Sequence, residues 1–156
     1  MVVDYAHTDD ALESLIRTAR ELNPKGRIIT LFGCGGGKDR TKRPVMGEAA
    51  GRLSDLTILS NDNPKTEDPL KIISDIVVGL QKTNGRYMIE PDRERAIALA
   101  MDQALPGDIV LLAGKGHENY QILADRTLEF DDREQARRVL NERGYDRTPS
   151  SQGFGT

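Results

Sequence analysis

Short apolar runs alternate with helical stripes along this chain, and that alternation constrains its fold more than any other feature. Residues 27–32, 56–59, 86–90 and 109–113 are short, mostly apolar runs of strand length. Between them, apolar residues recur at helical spacing: Leu12, Leu15, Ile16 and Ala19, then Val45, Met46, Ala49, Ala50 and Leu53, then Ile73, Ile76, Val77 and Leu80, then Ala96, Ile97, Ala100 and Met101. A strand–helix rhythm of this kind predicts an α/β domain, doubly wound around a mostly parallel sheet. Run 109–113 is the most apolar and is expected at the centre of the sheet. Runs 121–124 and 127–130, joined by Asp125-Arg126, are expected to form an antiparallel hairpin on the sheet edge. The domain is expected over 1–143. Residues 144–156, polar and rich in Gly, Ser and Pro, are expected to be a disordered tail.

Parallel sheets bind ligands at the carboxyl ends of their strands, which directs attention to the loops. Loop 60–69 follows run 56–59 and places an acid, an amide and a base, Asp62, Asn63 and Lys65, within four residues, with Pro64 restraining the backbone between them. That set suits a ligand bearing both an ammonium and a carboxylate. The same loop also reads as a helix cap, with Asp68 as N-cap and Pro69 at the first helical position. Capping accounts for 66–69 and leaves the role of 62–65 open between the two readings.

Loop 33–44 is glycine-rich and follows run 27–32. A Walker loop requires four residues between its first Gly and its Gly-Lys, then Ser or Thr. Here the interval from Gly33 to Gly37 is one residue short, and Asp39 follows Lys38. The dinucleotide fingerprint fails too, since Lys38 stands where its third Gly belongs. What remains is a backbone that a ligand can approach closely, followed by Lys38, Arg40, Lys42 and Arg43 as an anion-attracting rim. For Arg40 and Lys42 a solvated basic loop accounts for the charges equally well. Cys34 has no local His or Asp to activate it and reads as a packing residue.

Two further loops complete the set. Asp4-Tyr5-Ala6-His7 precedes a helix whose N-cap is expected at Thr8, and His7 alone reads as a surface residue. Gly114-Lys115-Gly116-His117-Glu118 leaves run 109–113, and its glycines allow close approach of a ligand. Glu118 puts a second carboxylate at the same sheet edge as Asp62, whereas His117 reads as a structural hydrogen-bonding residue of the loop.

Composition excludes several function classes. Charged residues make up 30% of the chain and its net charge is -3, with bases interspersed among acids, so nucleic acid is not an expected partner. Trp is absent, which leaves little for base stacking. The single cysteine rules out an intramolecular disulfide. No apolar run is long enough to span a membrane and no signal-peptide pattern opens the chain. A soluble cytoplasmic protein with no membrane partner is the expectation.

The segments 3–8, 62–65 and 113–118 resemble, in order and spacing, the C-terminal domain of the Mur ligases, and the resemblance runs over residues 2–140. Within the family the similarity is greatest to members that extend UDP-N-acetylmuramoyl-L-alanyl-D-glutamate by its third residue. The resemblance implies a Rossmann-like fold and a part in ATP-driven amide formation through an acyl phosphate, in peptidoglycan precursor synthesis. It implies ATP contacts at Asp4, Tyr5 and His7, and an amino-acid pocket built from Lys38, Asp62, Asn63, Pro64, Lys65, Gly114 and Glu118. It also implies that the phosphate loop, the Mg2+ ligands and the UDP-MurNAc-dipeptide site belong to upstream domains. No catalytic or metal-ligating residue is therefore expected in this chain, which looks like the C-terminal third of a ligase.

One departure bears on specificity. Members that add meso-diaminopimelate typically carry arginine where Lys65 stands, and the family usually carries arginine where Lys38 stands. Lysine offers a point charge instead of a bidentate fork, yet the pocket stays cationic. Meso-diaminopimelate is therefore the expected amino acid and L-lysine the runner-up. A non-catalytic nucleotide- or amino-acid-binding module is the alternative from another class.

Overall fold

A computed structural model describes residues 1–145. The part of the expected tail over 146–156 lies outside the described residues. Among the described residues, seven strands and five helices follow one another as β1 (Val2–Asp4), α1 (Asp9–Leu22), β2 (Ile28–Phe32), α2 (Lys42–Leu53), β3 (Leu56–Leu59), α3 (Pro69–Leu80), β4 (Tyr87–Ile89), α4 (Arg93–Gln103), β5 (Ile109–Ala113), β6 (Tyr120–Ile122), β7 (Thr127–Glu129) and α5 (Asp132–Glu142). The main sheet has the order β1-β5-β2-β3-β4, and all its pairings are parallel. The expected α/β, doubly wound fold is what forms.

The chain direction explains the layers. From β1 through β2 and β3 to β4 the strands advance one way across the sheet, so right-handed crossovers put α1, α2 and α3 on one face. The step from β4 back to β5 reverses direction and puts α4 on the other face. The core divides accordingly. Leu12, Ile16, Met46, Ala50, Ile73 and Ile76 pack with Ile28, Phe32, Leu59 and Leu111, while Ala96, Ile97, Ala100, Ala136 and Val139 pack with Ile29, Leu31, Ile58, Val110 and Leu112. Adjacent residues of each strand serve opposite layers, as the two-residue period of a strand requires.

Three expectations change in detail. The middle strand is β2, buried at every position, while β5 lies beside it between β1 and β2. Residues 2–4, too short to stand out as a strand, form the edge strand β1 because β5 supplies a parallel partner from Leu111 to Ala113. The hairpin is antiparallel as expected, but β6 and β7 form a sheet of their own instead of extending the main one.

Helix starts follow the predicted chemistry. The Thr8 hydroxyl accepts from the Ala11 N–H, and the Asp68 carboxylate accepts from the Leu70 N–H with Pro69 opening α3. Asp92 and Asp131 cap α4 and α5 in the same way. Among the described residues no helix is long and apolar enough to cross a membrane.

Candidate functional site

Because β1, β2, β3 and β5 are parallel, they release their loops at one edge of the sheet. There a cleft of about 170 Å³ is lined by Tyr5, His7, Lys38, Asp62, Asn63, Lys65, Gly114 and Glu118, with Gly35, Tyr120 and Ile122 completing the wall. Eight of the ten residues singled out in the sequence thus meet in one place. The other two lie beside it. Pro64 is buried beneath the glycine loop, and the Asp4 carboxylate accepts from the Ala6 N–H at 2.8 Å. Such a volume is below the range of about 300–1,000 Å³ usual for complete small-molecule sites.

The hairpin fixes the shape of loop 60–69. The Gln121 amide donates to the Asp62 carbonyl at 2.9 Å, the Ile122 N–H donates to Asn63 Oδ1 at 3.0 Å, and the Lys65 N–H donates to the Ile122 carbonyl at 3.1 Å. Held this way, Lys65 adopts φ 54°, a left-handed conformation that a non-glycine residue rarely takes. Conformations of this kind concentrate at functional sites.

The glycine loop closes on the same segment. The Gly36 N–H donates to the Asn63 carbonyl at 2.8 Å, and a Cβ on Gly36 would stand 1.9 Å from the Pro64 carbonyl oxygen. Only glycine permits that approach.

The expected basic rim is corrected here. Arg43 is 1% exposed. It lies inside α2 and bonds Glu67, Asp75 and the Gly35 carbonyl. Arg40 pairs with Asp75, and Lys42 lies 3.8 Å from Asp9. Of the four bases, Lys38 is the one that lines the cleft. The rest are neutralised because acids of α1, α3 and the loop before α3 lie within reach, which a reading of the loop alone could not reveal.

Arg43 and Glu67 act as a clasp between the glycine loop and the start of α3. The Arg43 guanidinium and the Gly37 N–H both bond the Glu67 carboxylate and hold its pKa down to about 2. A depressed carboxylate stabilises the fold above its ordinary pKa, and the contribution fades as pH falls toward the folded value. Glu67→Gln is therefore expected to lower the denaturation midpoint at neutral pH and to lose that difference between about pH 4.5 and about pH 2. Chemical denaturation across that range checks it, and a difference that persists at the acid end would rule the clasp out.

Burial pushes the Cys34 thiol up to about 12, and its Sγ lies 3.7 Å from Met46 Sδ, so it packs as expected and is no nucleophile at neutral pH. His117 differs from its expectation. It is exposed, and its ring lies 5.8 Å from that of Tyr5, which in turn meets His7 edge-on at 4.6 Å. Those contacts leave an exposed aromatic surface at one end of the cleft.

Sequence reasoning missed the floor of the site. Lys115 has a fully buried side chain, and its Nζ reaches Asp62 Oδ1 at 3.3 Å, Asn63 Oδ1 at 3.1 Å and Glu118 Oε2 at 3.8 Å. The flanking glycines were the available signal. Beneath lies the buried pair Arg93–Asp132, with a closest contact of 2.6 Å. Arg93 also donates to the Asn61 carbonyl at 3.2 Å and the Ala113 carbonyl at 3.1 Å. Chemically, the cleft presents two carboxylates and two lysines to one small ligand, which suits a zwitterion. Among the described residues no group of His, Cys, Asp and Glu side chains converges to hold a metal ion.

Comparison with known proteins agrees with this geometry. A family model described as Mur ligase, glutamate ligase domain, matches residues 1–116. The UDP-N-acetylmuramoyl-L-alanyl-D-glutamate–2,6-diaminopimelate ligase of Solibacter usitatus (strain Ellin6076) is 58% identical over 148 residues, which are 95% of this chain and 30% of that protein. The ligase of the same name from Synechococcus elongatus is 55% identical over 143 residues, 92% of this chain and 28% of that protein. A solved structure of a ligase with this name superposes with a TM-score of 0.86 at 42% identity, covering 91% of this chain and 29% of the other. The chain spans less than a third of the length of the curated relatives it matches. A match over most of the chain, on the fold and loops just described, is sufficient: the chain belongs to the Mur ligase family, as its glutamate ligase domain.

Proposed function

We propose that this chain is the amino-acid-binding domain of a cytoplasmic, ATP-dependent ligase that adds meso-diaminopimelate to UDP-MurNAc-L-Ala-D-Glu in peptidoglycan precursor synthesis. The observation that carries the proposal is the meeting of Asp62 and Glu118 with Lys38 and Lys65 in one cleft. The distal end of meso-diaminopimelate bears an ammonium and a carboxylate together, and the cleft offers partners of both signs. Asp62 and Glu118, Glu118 above all, receive the distal ammonium. Lys65 and Lys38 receive carboxylate, while Asn63, Pro64 and Gly114 shape the wall. Holding the amino acid in this way presents its other amine to an activated carboxyl group, the gain that comes from orientation.

ATP supplies the activation of that carboxyl group. On this chain, Asp4, Tyr5 and His7 are assigned to the ribose and adenine, a reading supported by the exposed rings of Tyr5 and His7, which offer the base a face to stack on. Magnesium is assigned to other domains of the ligase, as the family resemblance implies. The cleft's small volume accords with a half-site that other domains complete.

The test joins this chain to the upstream domains of its ligase and follows ADP release with the UDP-linked dipeptide. Meso-diaminopimelate is expected to support turnover far better than L-lysine. The chain alone is expected to release no phosphate from ATP, since both phosphate-loop templates fail in its sequence. Preference for L-lysine would overturn the choice of amino acid. Magnesium-dependent phosphate release by the pure chain would overturn the division of labour.

A further inference from the structure

Resting on that reading of the cleft, we propose that Lys115 is a specificity-determining positioning residue, a buried cation that sets the charge of the amino-acid site without touching the amino acid. A lysine between two glycines in a loop at this sheet edge invites another role, that of a phosphate-binding lysine. The geometry argues against it. The side chain is fully buried, and its ammonium is already met by Asp62 Oδ1, Asn63 Oδ1 and Glu118 Oε2. The Tyr120 ring, with its centroid 5.9 Å from Nζ, covers it further. Two of its three N–H donors are taken by Asp62 and Asn63, Glu118 stands at ion-pair distance, and the side chain is closed off from solvent.

Two consequences follow from where it sits. First, Lys115 ties together residues from two loops, since Asp62 and Asn63 follow β3 while Glu118 follows β5. The two carboxylates that face the cleft are thereby aimed from a common anchor beneath them. Second, it decides the balance of charge. Lys38 and Lys65 line the cleft together with Asp62 and Glu118, so those four groups balance in formal charge. Lys115 below them adds one positive charge. A distal end carrying ammonium and carboxylate is compatible with that excess, whereas a lone distal ammonium is repelled by it. Because Lys115 is buried, its charge is screened less than those of exposed lysines.

The test uses the complete ligase and reads the ratio of kcat/KM for L-lysine to that for meso-diaminopimelate. This ratio does not depend on how much of a preparation is folded. In Lys115→Met the ratio is expected to rise on the order of tenfold, with the KM for ATP unchanged. Asn63 Oδ1 keeps the Ile122 N–H in that variant, so the loop retains one of its anchors. Lys115→Gln, neutral but still a donor, carries the same test should the Met variant fail to fold, and its ratio is expected to rise likewise. Lys115→Arg keeps the charge and is expected to hold the ratio close to that of the unmodified enzyme. Neutral variants that weaken both amino acids equally, or that raise the KM for ATP in step, would overturn the proposal. An unmodified ligase that prefers L-lysine would instead overturn the proposed function, and the shift in ratio on neutralising Lys115 would still decide the present claim.

Discussion

Asp132→Ala is expected to destabilise the chain by about 3–5 kcal/mol, the usual consequence of removing one partner of a buried ion pair. At roughly 2–4 °C per kcal/mol for a chain of this size, the thermal midpoint should fall by about 6–20 °C. The reason lies in what remains. Arg93 is 2% exposed. Burial works against its charge, and the Asp132 carboxylate more than compensates, raising the guanidinium pKa above its ordinary value. Without Asp132 a buried cation keeps two carbonyl partners, those of Asn61 and Ala113, but loses its counter-charge. Thermal unfolding followed by circular dichroism measures the effect, and a midpoint within about 2 °C of the parent would show that water or a rearranged carboxylate replaces the pair.

The double variant Arg93→Met/Asp132→Leu separates stability from site geometry. Replacing a whole buried pair with apolar groups is often neutral or better, so most of the lost stability should return. The carbonyls of Asn61 and Ala113, at the ends of the strands that deliver Asp62 and Gly114, would still have lost their shared donor. Amino-acid binding should therefore stay impaired in a protein that unfolds normally.

That pair also marks where the sequence stopped being informative. The strands and helices were legible because each has its own periodicity, and the caps at Thr8 and Asp68 because their chemistry is local. Loops 60–69 and 114–118 stood out because their residue types are unusual together. Arg93 and Asp132 lie 39 residues apart, one at the start of each of two unremarkable helices, and nothing local tells a buried arginine from a solvated one. Arg43 misled for the same reason: in a run of bases it looks like its neighbours, and only the fold brings Glu67 and Asp75 against it. Strand β1 was hidden differently, since three residues carry no period and the strand exists only because β5 offers an open edge.

Lys65→Ala in the complete ligase is expected to weaken meso-diaminopimelate by about ten- to a hundredfold, the equivalent of a hydrogen bond to a charged group worth roughly 1.5–3 kcal/mol. L-Lysine has no distal carboxylate to lose and should be unaffected, or even bind better as a like charge is removed. The backbone needs its own control, because Lys65 sits at φ 54° with its N–H donating to the Ile122 carbonyl. Alanine meets the same penalty at positive φ that lysine does, so Lys65→Ala removes the charged head and leaves the strain in place. Lys65→Gly removes both. If the head is what matters, the two variants should lose meso-diaminopimelate alike, and Lys65→Arg should retain it or bind it more tightly through its two-pronged contact. If glycine and alanine differ strongly, the left-handed backbone is what shapes the pocket. If Lys65→Ala weakens both amino acids equally, Lys65 makes no contact with the distal carboxylate, and recognition of that end of the molecule passes to Lys38, the other lysine on the wall of the cleft.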